Sequence, residues 1–259
     1  MRATWRGAIS VGQVTIAVRL FAAVDQHDLR FHHVHRADAG RIQHRRVCAS
    51  CGEEVDAADV TKSYELDDGR MVLLEQEDFE RLPSPTSHTI DVVQFVSPED
   101  IDPIYYRRSY YLEPDDAAVQ AYVLLRQALE RARRMAIVRI TVRQREMLAT
   151  LHTRGDLLVL HTMLWPDEIR VPDFAFLDRD VTVRPAELTM ATSLVATMSA
   201  PFTPGEFADR YRDALAGLIE AKAAGADLPA IPEPRDADTH VDLATALRDS
   251  IDQARATRT

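Results

Sequence analysis

The first two-thirds of the chain alternate between short apolar segments and turns, and this alternation constrains the fold more than any other feature. Residues 4–11 and 14–24, separated by Gly12 and Gln13, indicate a β-hairpin. Further strand-like segments follow at residues 29–35, 41–47, 60–66, 71–74, 89–96, 104–112, 135–145, 146–152 and 157–164. Many short strands at this spacing predict a β-rich α+β fold organised as a barrel or a sandwich.

Helical periodicity occurs once inside the β region and dominates the last third of the chain. Pro114 and the two aspartates after it favour a helix start, and apolar residues then recur at helical spacing through Leu129. From Pro185 onward the pattern is helical. One helix is predicted to begin at Thr203, with Glu206 completing a capping box. Its predicted apolar face comprises Phe207, Tyr211, Leu215, Leu218 and Ile219.

Charge is unevenly distributed along this chain of net charge −10. Residues 49–103 carry fifteen acidic and three basic side chains, whereas residues 107–145 carry nine arginines and four acids. Each block could be an ordinary solvated face, but an acidic protein can also present a cationic surface to nucleic acid. Lys62 and Lys222 are the only lysines, so arginine, whose guanidinium forks match phosphate oxygens, carries most of the positive charge.

The sequence offers no familiar catalytic arrangement. We find no phosphate-binding loop, nucleophile elbow or paired catalytic carboxylates. The acids of residues 97–103, Ser-Pro-Glu-Asp-Ile-Asp-Pro, fit a solvated helical turn better than a metal site. No apolar run reaches membrane-spanning length and the N-terminus lacks a signal-peptide pattern, so we expect a cytoplasmic protein without catalytic activity.

Arginines recur at alternate positions in two of the predicted strands. If residues 137–145 form one strand, Arg139, Arg143 and Arg145 share a face opposite an apolar face. Arg41 and Arg45 likewise share one side of the strand after the preceding turn, and Arg36 and Arg46 lie nearby. Such rows suit the repeated phosphates of a DNA backbone and predict binding without sequence preference, although a solvated sheet face has the same pattern.

Two pairs of potential metal ligands flank a predicted turn. His32 and His35 form an H-x-x-H pair, and Cys48 and Cys51 form a C-x-x-C pair. Four such ligands could hold a structural Zn²⁺ ion with no open position for catalysis. Reduced thiols and exposed histidines are the alternative interpretation.

The C-terminal residues combine a predicted linker with a short apolar stripe. Residues 226–240 are rich in proline and acidic side chains and predict a linker. Leu243, Leu247 and Ile251 then form a narrow stripe on a predicted amphipathic helix. This helix could dock on a partner or fold back on its own domain.

Five blocks of the sequence closely resemble successive blocks of bacterial Ku proteins. They are MRATWRGAISVGQVTIAVRLFAAV, HDLRFHHVHRADAGRIQHRRVCASCGEEV, IDPIYYRRSYYLEPD, YVLLRQALERARRMAIVRITVRQREMLATL and MLWPDEIR. The likeness runs in order from Met1 to about Gly225.

The resemblance implies a Ku-type β-barrel core with helical additions, in which two copies interlock into a ring-shaped homodimer around double-stranded DNA ends. It implies a role in non-homologous end joining beside an ATP-dependent ligase with polymerase activity, recruited through the C-terminal region. We therefore predict a barrel core with an inserted helix at residues 1–184 and a helical arm at 185–225. The linker at 226–240 and the ligase-recruiting segment at 241–259 complete the chain.

The sequence departs from many Ku proteins in lacking a lysine-rich run before Thr259. We therefore expect the ring alone to attract DNA. Two other function classes stay open: a metal-dependent DNA-processing enzyme, and a zinc-stabilised protein–protein adaptor without affinity for DNA.

Overall fold

The computed structural model describes residues 1–25, 27–81, 88–142, 145–225, 246–247 and 249–253. The chain divides into two compact units, Met1–Val171 and Pro172–Thr259. The predicted division between a barrel core ending at residue 184 and a helical arm beginning at residue 185 stays a prediction. In the described part of the chain, no helix is both long and apolar enough to cross a membrane.

The first unit contains nine strands and two α-helices in its described residues. In chain order these are β1 (Trp5–Val11), β2 (Val14–Ala22), β3 (Lys62–Glu65), β4 (Met71–Leu74), α1 (Gln76–Glu80), β5 (Thr89–Val96), β6 (Tyr106–Pro114), α2 (Val119–Ala132), β7 (Met135–Val142), β8 (Arg145–Arg154) and β9 (Leu157–Met163). Short 3₁₀ turns occur at Ala57–Asp59, Pro98–Asp100, Pro103–Tyr105, Asp116–Ala118 and Pro166–Glu168.

Seven of these strands close into a barrel in the order β1-β2-β6-β9-β8-β7-β5. Every neighbouring pair is antiparallel except β1 and β5, which run parallel over three residue pairs and close the barrel. Alternate residues of each strand point inward, as period-two patterning requires. Ile9, Ile16, Ile90, Leu151 and Leu160 are among the fully buried side chains that fill the interior. The predicted β-rich barrel is therefore confirmed.

Trp5, the first residue of β1, is fixed by a hydrogen bond to a residue distant in sequence. Its indole Nε1 donates a hydrogen bond to the carbonyl oxygen of Thr141 at 3.0 Å. The ring passes over Gly7, where any Cβ would collide with the indole and with the carbonyl oxygen of His88. Glycine at position 7 is thus required by the close packing of the indole.

Helix α2 contributes Tyr122 and Leu129 to the barrel's apolar core. The Tyr122 hydroxyl donates to the Leu112 carbonyl at 2.8 Å and accepts from the Leu158 backbone N–H at 2.6 Å. It therefore joins β6 to β9 where α2 packs. Because the phenol is buried, its pKa is raised above the usual value, with smaller opposing effects from the Leu158 N–H and the Arg126 charge.

Residues 23–88, between β2 and β5, form what we call the inserted segment. Here the predicted strands at residues 29–35 and 41–47 are wrong, because the structure forms only isolated bridges, Val34 to Arg41 and Val47 to Glu54. Among the described residues, β3 and β4 pair only with each other. Large apolar side chains of the segment are exposed in the described residues, including Phe31, Val34, Val47, Tyr64 and Leu73.

The second unit contains two long helices in its described residues, α3 (Pro185–Met198) and α4 (Arg210–Ala223). The predicted start at Thr203 is wrong. Residues Pro204–Glu206 form a 3₁₀ turn without a side-chain cap, and α4 begins after Asp209, whose carboxylate accepts from the Arg212 N–H at 3.0 Å. Phe207 therefore precedes the helix on whose face it was predicted.

Candidate nucleic-acid interface

The predicted arginine row of residues 137–145 is divided between two antiparallel strands. Strand β7 ends at Val142, and Arg145 begins β8 directly opposite it. Cross-strand partners share a face, so Arg145 lies on the inward-facing side of the sheet at the end of the hairpin, whereas Arg139 lies on the outer side. The prediction that Arg139 and Arg145 share one face of a single strand is therefore wrong. Arg143 lies outside the described residues.

Arg139 is an exposed cation with two acids on neighbouring strands. Its Nε lies 3.5 Å from Glu146 Oε1, and its Cα partner on β5 is Asp91. Surface pairs of this kind contribute at most about 1 kcal/mol to stability, so they leave the guanidinium available to a stronger anionic partner. The local charge is nevertheless not strongly positive.

The remaining predicted DNA-binding arginines lie in the inserted segment, and all of them are exposed. Arg45 Nη1 contacts Glu54 Oε2 at 2.9 Å. Arg36, Arg41 and Arg46 make no ion pair with another described residue. The predicted common strand face of Arg41 and Arg45 is wrong, because the structure forms no strand at residues 41–47.

A second row of charged side chains crosses the outer face of the barrel, and sequence reasoning missed it. Arg6 on β1 lies directly opposite Arg19 on β2. The Arg19 guanidinium contacts Glu113 and Asp115, each at 3.3 Å, while Arg6 has no acidic partner in the described part of the chain. Alternation within the correctly predicted hairpin could have placed Arg6 and Arg19 outward together.

Polar and aromatic residues continue this outer face towards β8. Arg154 Nη1 donates to the Tyr111 hydroxyl at 2.8 Å. The imidazoles of His152 and His161 stack with their centroids 4.8 Å apart, and Ser109 Oγ lies 3.1 Å from His161 Nδ1. Burial lowers the pKa of His161, and the neighbouring charges of His152 and Arg154 lower it further.

The predicted zinc ligands do not converge. Among the described residues, no group of three or more His, Cys, Asp or Glu side chains is placed to hold a metal ion. His35 Nδ1 instead contacts Asp38 Oδ1 at 3.1 Å. Cys48 and Cys51 are free cysteines in one tight turn, where the Gly52 N–H donates to the Cys48 carbonyl. Backbone N–H groups of Cys51 and Ser50 lower the pKa of the Cys48 thiol. Zinc binding stays a prediction.

The C-terminal stripe is described only in part. Leu247 and Ile251 lie in a short helical stretch and are half-buried, whereas Leu243 and the predicted linker at 226–240 lie outside the described residues. Ligase recruitment by this stripe stays a prediction.

Comparison with known proteins gives a consistent match to one family. A family model described as the Ku70/Ku80 β-barrel domain matches residues 10–190, which is more than half of the chain. A relative from Saccharopolyspora erythraea, named Non-homologous end joining protein Ku 2, is 53% identical over 263 residues, covering 100% of this chain and 86% of that protein.

Two further relatives carry the name Non-homologous end joining protein Ku. The protein from Mycobacterium tuberculosis is 42% identical over 252 residues, covering 95% of this chain and 92% of its own length. The protein from Frankia casuarinae is 52% identical over 258 residues, covering 100% of this chain and 65% of its own length.

Proposed function

The chain belongs to the Ku β-barrel family, and on this premise we propose that it binds double-stranded DNA ends without sequence preference in non-homologous end joining. The observation that carries the proposal is the family match, together with relatives whose names state that role. The exposed arginines of the barrel and the inserted segment supply the chemistry, because guanidinium groups bind backbone phosphates and need no particular base. We place the protein in the cytoplasm, on the nucleoid.

The active form in this proposal is a ring-shaped homodimer. The support comes from the inserted segment, because a two-stranded sheet with exposed apolar side chains is at best marginally stable alone. Tyr64, Met71 and Leu73, each more than half exposed, would be covered by a second copy of the chain. Two interlocked segments would then enclose the duplex.

A comparison of linear and covalently closed circular duplex tests the proposal. A ring loaded from a free end retains the linear duplex and not the circle. If roughly six to ten phosphates are neutralised, affinity for the linear duplex falls about 10³- to 10⁵-fold between 50 and 200 mM salt. Equal retention on both DNA forms would contradict loading from an end.

The protein acts as a scaffold in this proposal and recruits an ATP-dependent ligase with polymerase activity through its C-terminal stripe. Leu247→Asp should lower stimulation of that ligase and leave DNA binding unchanged. Loss of both activities would show that the stripe belongs to the folded core. Highly purified protein should neither cleave nor join DNA with Mg²⁺ or Mn²⁺ present.

Structural zinc is a separate element of the proposal. Its support is the presence of one H-x-x-H and one C-x-x-C motif in the sequence of the inserted segment, together with the lowered pKa of the Cys48 thiol, since zinc binds thiolate. Zinc binding would have to bring the four side chains together. Metal analysis of the wild type and of Cys48→Ser and Cys51→Ser tests it. Metal-free wild-type protein, purified without chelators, would exclude a zinc site.

A further inference from the structure

Three arginines lie in the last turn of α2 and in its tight connection to β7, at residues 131–134, which we call the basic turn. Arg131, Arg133 and Arg134 are all exposed. The C-terminus of a helix attracts cations, and this accounts for a basic residue in its last turn. The attraction of cations to the helix end does not account for the backbone conformation of Arg133, which directly follows the helix.

Arg133 occupies a backbone conformation that favours glycine. Its φ is 51° and its ψ is 47°, in the left-handed region. Its N–H bonds to the Glu130 carbonyl, and the Arg134 N–H bonds to the Leu129 carbonyl, each at 3.1 Å. This pair of bonds is the Schellman arrangement, in which glycine is preferred because a Cβ is crowded. Helix termination alone would therefore select glycine, and arginine here costs stability.

Two acids close to the basic turn already contact another arginine, Arg126. Arg126, whose side chain is only 12% exposed, lies 3.0 Å from Glu130 and 3.9 Å from Asp156. It also donates to the Gly155 carbonyl at 3.2 Å, which fixes α2 against the β8–β9 turn. Strand β7 begins at Met135 beside the last residues of β8, with Ala136 opposite Leu151, so Arg154 at the end of β8 lies at the same end of the barrel as the basic turn.

No arginine of this group forms an ion pair within the described part of the chain. Arg131, Arg133 and Arg134 make no side-chain hydrogen bond to a described residue, and Arg154 contacts the neutral Tyr111 hydroxyl. Arg139 and Arg45, by contrast, each contact a glutamate. The group is thus a concentration of uncompensated positive charge at one end of the barrel.

We propose that the basic turn and Arg154 bind backbone phosphates of duplex DNA. The inference rests on the proposed function and adds a contact outside the predicted arginine rows. Three guanidinium groups on consecutive or nearly consecutive residues match closely spaced anions and need no base edge. The gain in phosphate binding offsets the unfavourable conformation of Arg133.

Arg133→Gly separates this role from a structural one, because the two predict opposite effects. Glycine relieves the left-handed conformation, so the melting temperature rises by roughly 2–4 °C. The loss of one phosphate contact lowers the slope of log affinity against log salt by about 0.9. Arg133→Lys restores the slope without raising the melting temperature.

Ala39→Gly is the matched backbone control. Ala39 also has a positive φ, 56°, so glycine there should stabilise the fold while leaving the salt slope unchanged. Joint replacement of Arg131, Arg133 and Arg134 by glutamine enlarges the signal and should reduce the slope by about 2 to 3.

The measurement is the affinity of each variant for a linear duplex by fluorescence anisotropy between 50 and 200 mM salt, beside thermal unfolding. A wild type that binds this duplex while Arg133→Gly and the triple variant keep its affinity and slope overturns the basic-turn site. Equal wild-type binding to linear and closed DNA contradicts loading from an end, but a reduced slope in the variants would still support the site. A wild type that binds neither DNA form overturns both proposals.

Discussion

The barrel and the inserted segment belong to one continuous chain but differ in how far they bury their apolar side chains. In the barrel, Ile9, Leu151 and Leu160 are completely buried. In the inserted segment, Phe31 and Tyr64 are each 64% exposed. The barrel buries its own apolar core and leaves no strand edge unpaired, because its seven strands close on themselves. The described part of the inserted segment exposes large apolar side chains and forms an open two-stranded sheet.

This difference separates stability from assembly. Burial of apolar surface contributes roughly 25 cal/mol per Å², so the barrel interior provides most of the stability of the first unit. Exposed apolar surface in the inserted segment gains a comparable contribution only when another molecule covers it. Substitutions in the two regions should therefore change different measured quantities.

The largest effect is expected from Leu160→Ala in the barrel interior. Loss of the buried side chain leaves a cavity and should lower the free energy of unfolding by about 2–5 kcal/mol. Leu73→Ala, at a 63% exposed position of the inserted segment, should lower the free energy of unfolding of the dissociated protomer by about 0.5 kcal/mol or less. Urea denaturation measures both variants. Equal losses of unfolding free energy in the two variants would contradict the conclusion that the barrel interior provides most of the stability.

Tyr122→Phe should give the next largest loss of stability. Removal of the hydroxyl leaves the Leu112 carbonyl and the Leu158 N–H buried without their partner, at a cost of about 1–3 kcal/mol. Because the folded-state pKa of Tyr122 is raised, this group stabilises the protein below its ordinary pKa of 10.0, and the stability is lost as pH rises through the folded value. Denaturation between pH 8 and 11 should show a steeper loss in the wild type than in the variant.

Leu73→Asp should weaken dimer formation about tenfold or more, which corresponds to about 1.4 kcal/mol, because it places a charge on the surface that a second copy would cover. Sedimentation at several concentrations measures the change. Val14→Asp is the control, since Val14 is 53% exposed at the β1–β2 turn of the barrel. Equal weakening by both variants would place the dimer contact outside the inserted segment.

The smallest effect is expected from His161 on the outer face of the barrel. Its pKa is lowered in the folded state, so the unfolded chain takes up the proton first as pH falls below the ordinary histidine value of 6.5. The wild type should therefore lose some stability between pH 6.5 and the lower folded pKa. His161→Gln should reduce this pH dependence, and an unchanged slope would show that other groups cause it.

The sequence predicted the barrel better than the inserted segment, and the physical reason lies in their packing. Period-two alternation identified β1, β2, β5 and β9 nearly to the residue, because one face of each strand is buried in the same chain. It misplaced the boundary between β7 and β8, since Arg139 and Arg145 are an even number of residues apart in sequence, as on one strand face, yet lie on opposite faces of the paired strands. In the inserted segment, the predicted strands at residues 60–66 and 71–74 form β3 and β4, which pair with each other, whereas residues 29–35 and 41–47 find no partner strand among the described residues.

Sequence patterns were also insufficient to predict which arginines of the candidate interface are paired with acids. Alternation could place Arg6 and Arg19 on the outer face, but only the three-dimensional contacts reveal that Arg19 is neutralised by Glu113 and Asp115. The left-handed conformation of Arg133 is likewise invisible in the sequence, because arginine is an ordinary residue at the end of a helix.

The position of β9 in the barrel has a consequence for synthesis on the ribosome. This last strand of the barrel pairs with β6 on one side and β8 on the other, so both of those strands keep an open edge until Met163 has emerged. The inserted segment is translated well before that point. A nascent chain therefore exposes unpaired backbone and apolar side chains together, and chaperone binding or slow elongation through residues 157–163 should govern the yield of native protein.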